Sequence, residues 1–324
     1  MTEKKYDVTA LGELLIDFIG AGDSEFGNPL YEANPGGAPC NVLAMLQKLG
    51  KKTAFIGKVG NDGFGRQLKD AVASCGVELS GLLMDPMVHT TLAFVHKLPN
   101  GDRDFSFYRG PGADMMLTAE EVNEDLIKAS RIFHFGSLGL TDEPVRSATH
   151  KALQIAEENG VLRSYDPNLR PPLWSSDELA REQILWGMAH CDMLKIADNE
   201  IQWLSGKEDF DEGIAWLREQ FDIKLICLTL GPDGSRVYYG KEKFDVAPFL
   251  QENTIETTGA GDTFCACMIN AVLETGIDNF TAESLKGAVT FANAAASIIT
   301  TRKGALKSVP EKQEVIDFLQ KIGK

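Results

Sequence analysis

Short apolar runs rich in β-branched and aromatic residues recur along this chain and alternate with longer stretches of helical period. The strand candidates are Val8 to Leu11, Thr53 to Ile56, Ile132 to Phe135, Val161 to Tyr165, Met193 to Ile196 and Leu225 to Leu230. Between them fall helix candidates at Val42 to Leu49, Phe64 to Ser74, Val145 to Glu158 and Ile214 to Gln220, with a further one from Cys265 to Leu273. Alternation of this kind predicts a large three-layer α/β domain, with a mostly parallel central sheet flanked by helices. Two pieces break the rhythm. Leu14 to Ile19, followed by a polar Gly/Asn/Pro stretch, reads as one antiparallel ribbon. Thr91 to Leu98, joined through Pro99-Asn100-Gly101-Asp102 to Asp104 to Tyr108, reads as another, with Asn100-Gly101 as its tight turn. The expectation is a small β lid made of two insertions, 13–35 and 89–111, over the open edge of a body formed by 1–12, 36–88 and 112–324.

Composition narrows the class. At 324 residues and 44% hydrophobic, the chain can bury a large core. A net charge of −15 and a pI near 4.8 leave no basic stripe for nucleic acid and disfavour an anionic membrane surface. The cysteines Cys40, Cys75, Cys191, Cys227, Cys265 and Cys267 lie in apolar segments and read as small hydrophobes in a reducing compartment. With no apolar signal core after Lys4-Lys5, a cytoplasmic protein is expected.

The most informative segment is Thr257-Thr258-Gly259-Ala260-Gly261-Asp262-Thr263-Phe264, which opens the helix candidate at Cys265. Gly259, Ala260 and Gly261 allow a tight turn whose N–H groups lie at a helix N-terminus, where the dipole favours phosphate. Asp262 is the one carboxylate of that corner, placed to accept a proton from an incoming hydroxyl. Together they suggest phosphoryl transfer to an alcohol. An Asp in a first helical turn also serves the dipole alone, so other segments have to decide.

Asn34-Pro35-Gly36-Gly37-Ala38-Pro39-Cys40-Asn41 precedes a helix: Gly36 and Gly37 let a ligand touch backbone, and Asn41 offers a donor and an acceptor suited to a polyol. A plain helix-entry loop with Pro39 in its first turn fits the same residues. Asp17 fits two sugar hydroxyls or a surface turn. Arg170, in Tyr165-Asp166-Pro167-Asn168-Leu169-Arg170-Pro171-Pro172-Leu173-Trp174, follows a strand and fits a transferring phosphate or a structural ion pair. Thr229-Leu230-Gly231-Pro232-Asp233-Gly234 fits a nucleotide-phosphate turn or a β-turn. Lys195 and Glu200 straddle another strand end, and Glu200 suits magnesium-bound water or solvent. The chain has no G-x-x-x-x-G-K-[ST] and no G-x-G-x-x-G, and its histidines have no ligand spacing, which argues against a dinucleotide enzyme and a metallohydrolase.

Taken in order, these segments resemble the ribokinase family of sugar kinases, also called the phosphofructokinase-B type, along nearly the whole chain. Residues 34–41 are similar to its first signature and Thr257 to Asp262 to its second, while Tyr165 to Trp174 is similar to the fructokinase and ketodeoxygluconate kinase branch. The resemblance implies a ribokinase-like fold and Asp262 as catalytic base with Gly259, Ala260 and Gly261 as anion hole. It implies that Asp17, Gly37 and Asn41 bind sugar, and that Arg109 and Arg170 contact substrate or phosphate. Lys195, Glu200, Thr229, Gly231, Gly234 and Asn293 would line an ATP and magnesium site, and the lid would make a homodimer contact. Glu256, where the second signature usually has Asp, leaves potassium dependence open; Ala197 and Cys267 are smaller departures. The implied reaction is phosphorylation of D-fructose to fructose 6-phosphate. Phe107, without a hydroxyl, favours a neutral sugar. A 2-keto-3-deoxygluconate kinase, using Arg109 and Arg170 for the acid, is the rival enzyme, and a sugar sensor without catalysis is the rival from another class.

Overall fold

The computed structural model describes residues 4–97 and 103–323; the turn expected at Asn100-Gly101, with Leu98, Pro99 and Asp102, lies outside the described residues. The chain opens with β1 (Tyr6–Leu11), β2 (Leu15–Asp23), β3 (Pro29–Gly36), α1 (Ala38–Lys48), β4 (Thr53–Gly60), α2 (Gly63–Ser74) and β5 (Glu78–Asp85). It continues with β6 (Leu92–Lys97), β7 (Arg103–Tyr108), α3 (Glu124–Lys128), β8 (Ser130–Gly136), α4 (Val145–Glu158), β9 (Leu162–Asp166), α5 (Asp177–Ala189) and β10 (Met193–Ala197). Then follow α6 (Asp198–Ser205), α7 (Phe210–Arg218), β11 (Leu225–Thr229), β12 (Ser235–Tyr239), β13 (Glu242–Val246), α8 (Ala260–Thr275), α9 (Ala282–Ile299) and α10 (Lys312–Lys321).

Nine strands form the main sheet in the order β13-β12-β11-β10-β9-β8-β1-β4-β5. All neighbours from β11 to β5 are parallel, and β12 and β13 add antiparallel at one edge. The parallel strands read as continuous apolar runs because helices cover both faces, so that every residue of β4 is buried. One core packs α1, α2, α8 and α9 onto the first face through Leu43, Leu68, Phe264 and Val289. The other packs α4, α5, α6 and α7 onto the second through Leu153, Ile184, Ile201 and Leu217. The layered architecture expected from the alternation is the one observed. Strands β5, β12 and β13 and helices α3, α5, α6, α9 and α10 complete it beyond the predicted elements.

The second sheet runs β3-β2-β6-β7. The two ribbons are antiparallel within themselves, β2 with β3 and β6 with β7, and β2 joins β6 in parallel, Ile16 opposite Leu92. Phe18, stacked on Phe94 at 4.7 Å between centroids, packs edge-on against Phe64 of α2, so an aromatic cluster seats the small sheet on the body.

Candidate active site

Strands β8, β9, β10 and β11 end in Gly136, Asp166, Ala197 and Thr229, and a cavity of about 730 Å³ lies at that edge. In an open α/β sheet this is where loops diverge and ligands fit. Of the residues singled out in the sequence, Asp17, Gly37, Asn41, Phe107, Arg170, Lys195, Gly259, Gly261 and Asp262 all line it. The small sheet supplies Asp17 from β2 and Phe107 from β7, and α1 and α8 meet the cavity with their N-termini.

The α8 corner is built by its glycines. Gly259 caps the helix at φ 77, a left-handed conformation, and a side chain there would meet Ala305. Ala260 N–H turns back to the Thr257 carbonyl at 3.2 Å, leaving the N–H groups of Gly261 and Asp262 without a carbonyl one turn back. Asp262 sits in the first turn, and its Oδ2 accepts from Asn41 Nδ2 at 2.8 Å. Among the described residues no hydrogen bond reaches Oδ1. Burial, helped by the charge of Asp166, lifts the Asp262 carboxyl to a pKa of about 6, against the pull of Asn41, Lys195 and Arg170. A carboxyl poised there is a base strong enough to take a hydroxyl proton and still ionised at neutral pH.

Asn41 is buried, and its Oδ1 has no partner among the described residues. The orientation of the amide follows from Asp262, since the reverse would face two acceptors. Its carbonyl oxygen is therefore an unpaired acceptor that is itself shielded from solvent. Helix α1 is fixed from outside its own segment: Glu13 Oε1 accepts from Ala38 N–H at 2.9 Å. Gly37, at φ 130, lies so close to the Glu13 carbonyl that a Cβ would collide with it. Burial pushes the Glu13 carboxyl up to about 7. Glu13 lines the cavity, a residue the sequence reading passed over as a neighbour of Asp17.

Lys195 pairs with Asp166 at 3.1 Å. Burial opposes its charge, but Asp166, Glu200 and Asp262 outweigh burial and hold its pKa above the ordinary lysine value. A Cβ on Gly261 would lie 3.2 Å from Lys195 Nζ, so this ammonium stands against the glycine corner. Asn168, which also lines the cavity, has φ 45 and donates its N–H to Asp166 Oδ1 at 3.2 Å. Asp166, Asn168 and Asn199 were legible only as parts of their loops.

Other expected residues lie elsewhere. Arg109 does not line the cavity: its guanidinium is buried against Asp114, Thr141 and the Leu138 carbonyl. Gly36 packs against the Asp17 carboxylate behind the cavity wall, and Ala260 is the first residue of α8. Glu200 accepts from Leu169 N–H at 2.7 Å and Ala197 N–H at 2.8 Å, binding the 166–170 loop to the start of α6. Thr229, Gly231 and Gly234 stay together at the end of β11 and do not line the cavity. Asn293 accepts from Ser235 and donates to the Val246 and Ala247 carbonyls, clipping the same turn from α9. Among the described residues no group of three or more His, Cys, Asp or Glu side chains is arranged to hold a metal ion.

A mostly parallel sheet with a small second sheet, and a glycine-cornered helix start that turns Asp262 into a polar cavity, suit a phosphotransferase acting on a small hydroxylated substrate. The chain belongs to the pfkB family of carbohydrate kinases, whose model matches residues 5–312. It is 40% identical over 316 residues to fructokinase-1 of Zea mays, covering 97% of this chain and 98% of that one. Among solved structures it is similar to a fructokinase from Xylella fastidiosa with bound ATP, at a TM-score of 0.89 and 28% identity, covering 98% and 99% of the two chains. It is also similar to a double-mutant fructokinase from Vibrio cholerae O395 with fructose, ADP and potassium bound, at a TM-score of 0.87 and 29% identity, covering 98% and 100%.

Proposed function

We propose that this protein transfers the γ-phosphate of ATP to the 6-hydroxyl of D-fructose, giving fructose 6-phosphate and ADP, with Asp262 as general base. One observation carries the reading: a carboxylate with one oxygen held by Asn41 stands in the first turn of α8, inside a cavity that also presents Arg170 and Lys195. Asp17 and Asn41 would hold ring hydroxyls and bring the primary hydroxyl to Asp262, which takes its proton as the O–P bond forms. The N–H groups of Gly261 and Asp262, with Arg170 and Lys195, would offset charge on the transferred group, so that positioning and electrostatics supply most of the rate. The turn at Thr229, Gly231 and Gly234, clipped by Asn293, would hold the nucleotide.

Magnesium would be held chiefly by phosphate oxygens and water, with Glu200 proposed to contact it through water, and it would neutralise phosphate charge. Glu256 accepts from Gly304 N–H at 2.6 Å, which ties it to the segment after α9. The family comparisons support fructose over the acid sugar, and so does the placement of Arg109. A ketodeoxygluconate carboxylate would have Arg170 but not the second arginine, which is committed to Asp114. The body and lid are proposed to divide at 1–12, 36–88 and 112–324 against 13–35 and 89–111. The exposed aromatic face of the lid, with Tyr108 65% and Tyr31 40% accessible, suits a homodimer contact in the cytoplasm. Among the described residues no helix is long and apolar enough to cross a membrane.

The test is ADP release with magnesium-ATP and, separately, fructose, ribose, glucose and 2-keto-3-deoxygluconate, compared by kcat/KM. Fructose should lead. A lead for ketodeoxygluconate would overturn the substrate, and no turnover with any sugar would favour the sensor.

A further inference from the structure

Both strands of the second lid ribbon meet the body at a single buried carboxylate. Asp114 stands in a short helical turn, Ala113–Met116, with its side chain 1% exposed. Thr91, the residue before β6, donates its hydroxyl to Asp114 Oδ1. Arg109, the residue after β7, donates Nε to Asp114 Oδ2 at 2.7 Å. The two oxygens of one side chain thus hold the two ends of the ribbon. The rest of the Arg109 guanidinium goes to Thr141 Oγ1 and the Leu138 carbonyl, each at 3.0 Å, and Leu138 lines the cavity. On the other side, the Thr91 carbonyl accepts from Ile16 N–H at 3.1 Å, next to Asp17 on β2.

We propose that Asp114 is the anchor of the lid, a positioning residue that fixes the base of the β6–β7 ribbon to the cavity wall. Through that base it sets where Phe107 and Asp17 meet the sugar. This rests on the sugar-kinase reading of the cavity. The physical reason is the asymmetry of buried charge: paired, with every guanidinium nitrogen and both carboxylate oxygens hydrogen-bonded, Asp114 and Arg109 admit one geometry, whereas either alone leaves a desolvated charge that must swing toward water and take the strand with it. A hydrophobic contact at the same place would tolerate sliding. The pair does not touch the reacting atoms, so its loss should register in how the sugar is held before it registers in phosphoryl transfer.

The test uses Asp114→Asn, Arg109→Gln and the double variant. Each single change should raise KM for fructose about tenfold while kcat changes less than about threefold, and should raise ADP release in the absence of sugar. Hydrogen exchange should quicken in residues 92–96 and 106–108 and stay unchanged along α8. The double variant, which leaves two neutral amides in hydrogen-bonding reach and no buried charge, should recover most of the wild-type KM and lid protection, giving a strong non-additive coupling. If Arg109→Gln lowers kcat and the double variant does not recover, Arg109 acts on the substrate and the anchor is wrong. Unchanged lid exchange in Asp114→Asn overturns it as well. Should the wild-type protein phosphorylate no sugar, the exchange measurement decides the anchor on its own, separately from the failed functional reading.

Discussion

Two aspartates invite comparison, a half-buried one facing the cavity at the start of α8 and a buried one at the base of the lid. Asp262 is held through one oxygen by a neutral amide, faces a cavity, and shares its nearest cation, Lys195, with Asp166. Asp114 has a dedicated guanidinium at 2.7 Å and a donor on each oxygen. The first carboxylate is held through one oxygen only, where burial and the charge of Asp166 raise its affinity for a proton; the second has a donor on each oxygen, which makes it a fixed point. Burial alone does not make a catalytic acid or base: what matters is which lone pairs the fold leaves unused.

The sharpest way to break this contrast is Asp262→Asn. The Asn41 contact and the helix start can persist, but no base remains, and turnover should fall by roughly 10²–10⁴-fold. Calorimetry should still detect ATP binding. Near-normal turnover would move the base elsewhere and make Asp262 no more than a helix-start carboxylate.

Lys195→Met probes the shared cation. Removing it leaves Asp166 buried and unpaired, with an expected stability loss of about 3–5 kcal/mol in denaturant titration. It also removes a charge that lowers the Asp262 pKa, so the acid limb of the rate profile should move to higher pH. A loss of stability with no movement of that limb would separate Lys195 from Asp262 and confine it to Asp166.

Glu13 lies between the two regions, lining the cavity while feeling the charges of Asp114 and Arg109. Its folded pKa of about 7, against an ordinary value of 4.5, means the folded protein keeps a proton that the unfolded chain releases. Its contribution to stability is therefore fully present below the ordinary value and is lost as pH rises to about 7. Glu13→Gln keeps an acceptor for Ala38 N–H and removes that slope. Relative to wild type the variant should gain stability between pH 4.5 and 7, by at most about 3 kcal/mol. Parallel stability curves for the two proteins would show that Glu13 is ionised throughout.

Much of this was legible in the chain because it is written locally. Strands β1, β4, β8, β10 and β11 announce themselves as apolar runs, and the Gly259–Asp262 corner is contiguous in sequence. Gly37 and Asn41 were readable because paired glycines mark the entry to α1, whereas Asp17, expected at a strand end, stands near the start of β2. The surroundings of Arg109 were not legible, for the opposite reason. Its partners Asp114, Thr141 and Leu138 are set by the return of the chain through the body, and nothing in Phe107-Tyr108-Arg109 distinguishes a guanidinium facing substrate from one facing a buried carboxylate. Glu13 was passed over because its role depends on Ala38, which the fold alone brings beside it. Helix α5 escaped prediction although Ser176 caps it, because Gly187 packs on Tyr165 where a larger residue would have marked the apolar face.

The central claim, that Asp262 is a base tuned by burial, is tested most directly by the pH dependence of kcat/KM for fructose phosphorylation. A base must be ionised to act, and this one has a folded pKa of about 6. The profile should therefore rise with unit slope through that pH and level off above it. The residual activity of Asp262→Asn should show no such limb. A wild-type rate that stays level down to pH 4.5, or a limb that survives the substitution, would contradict the account.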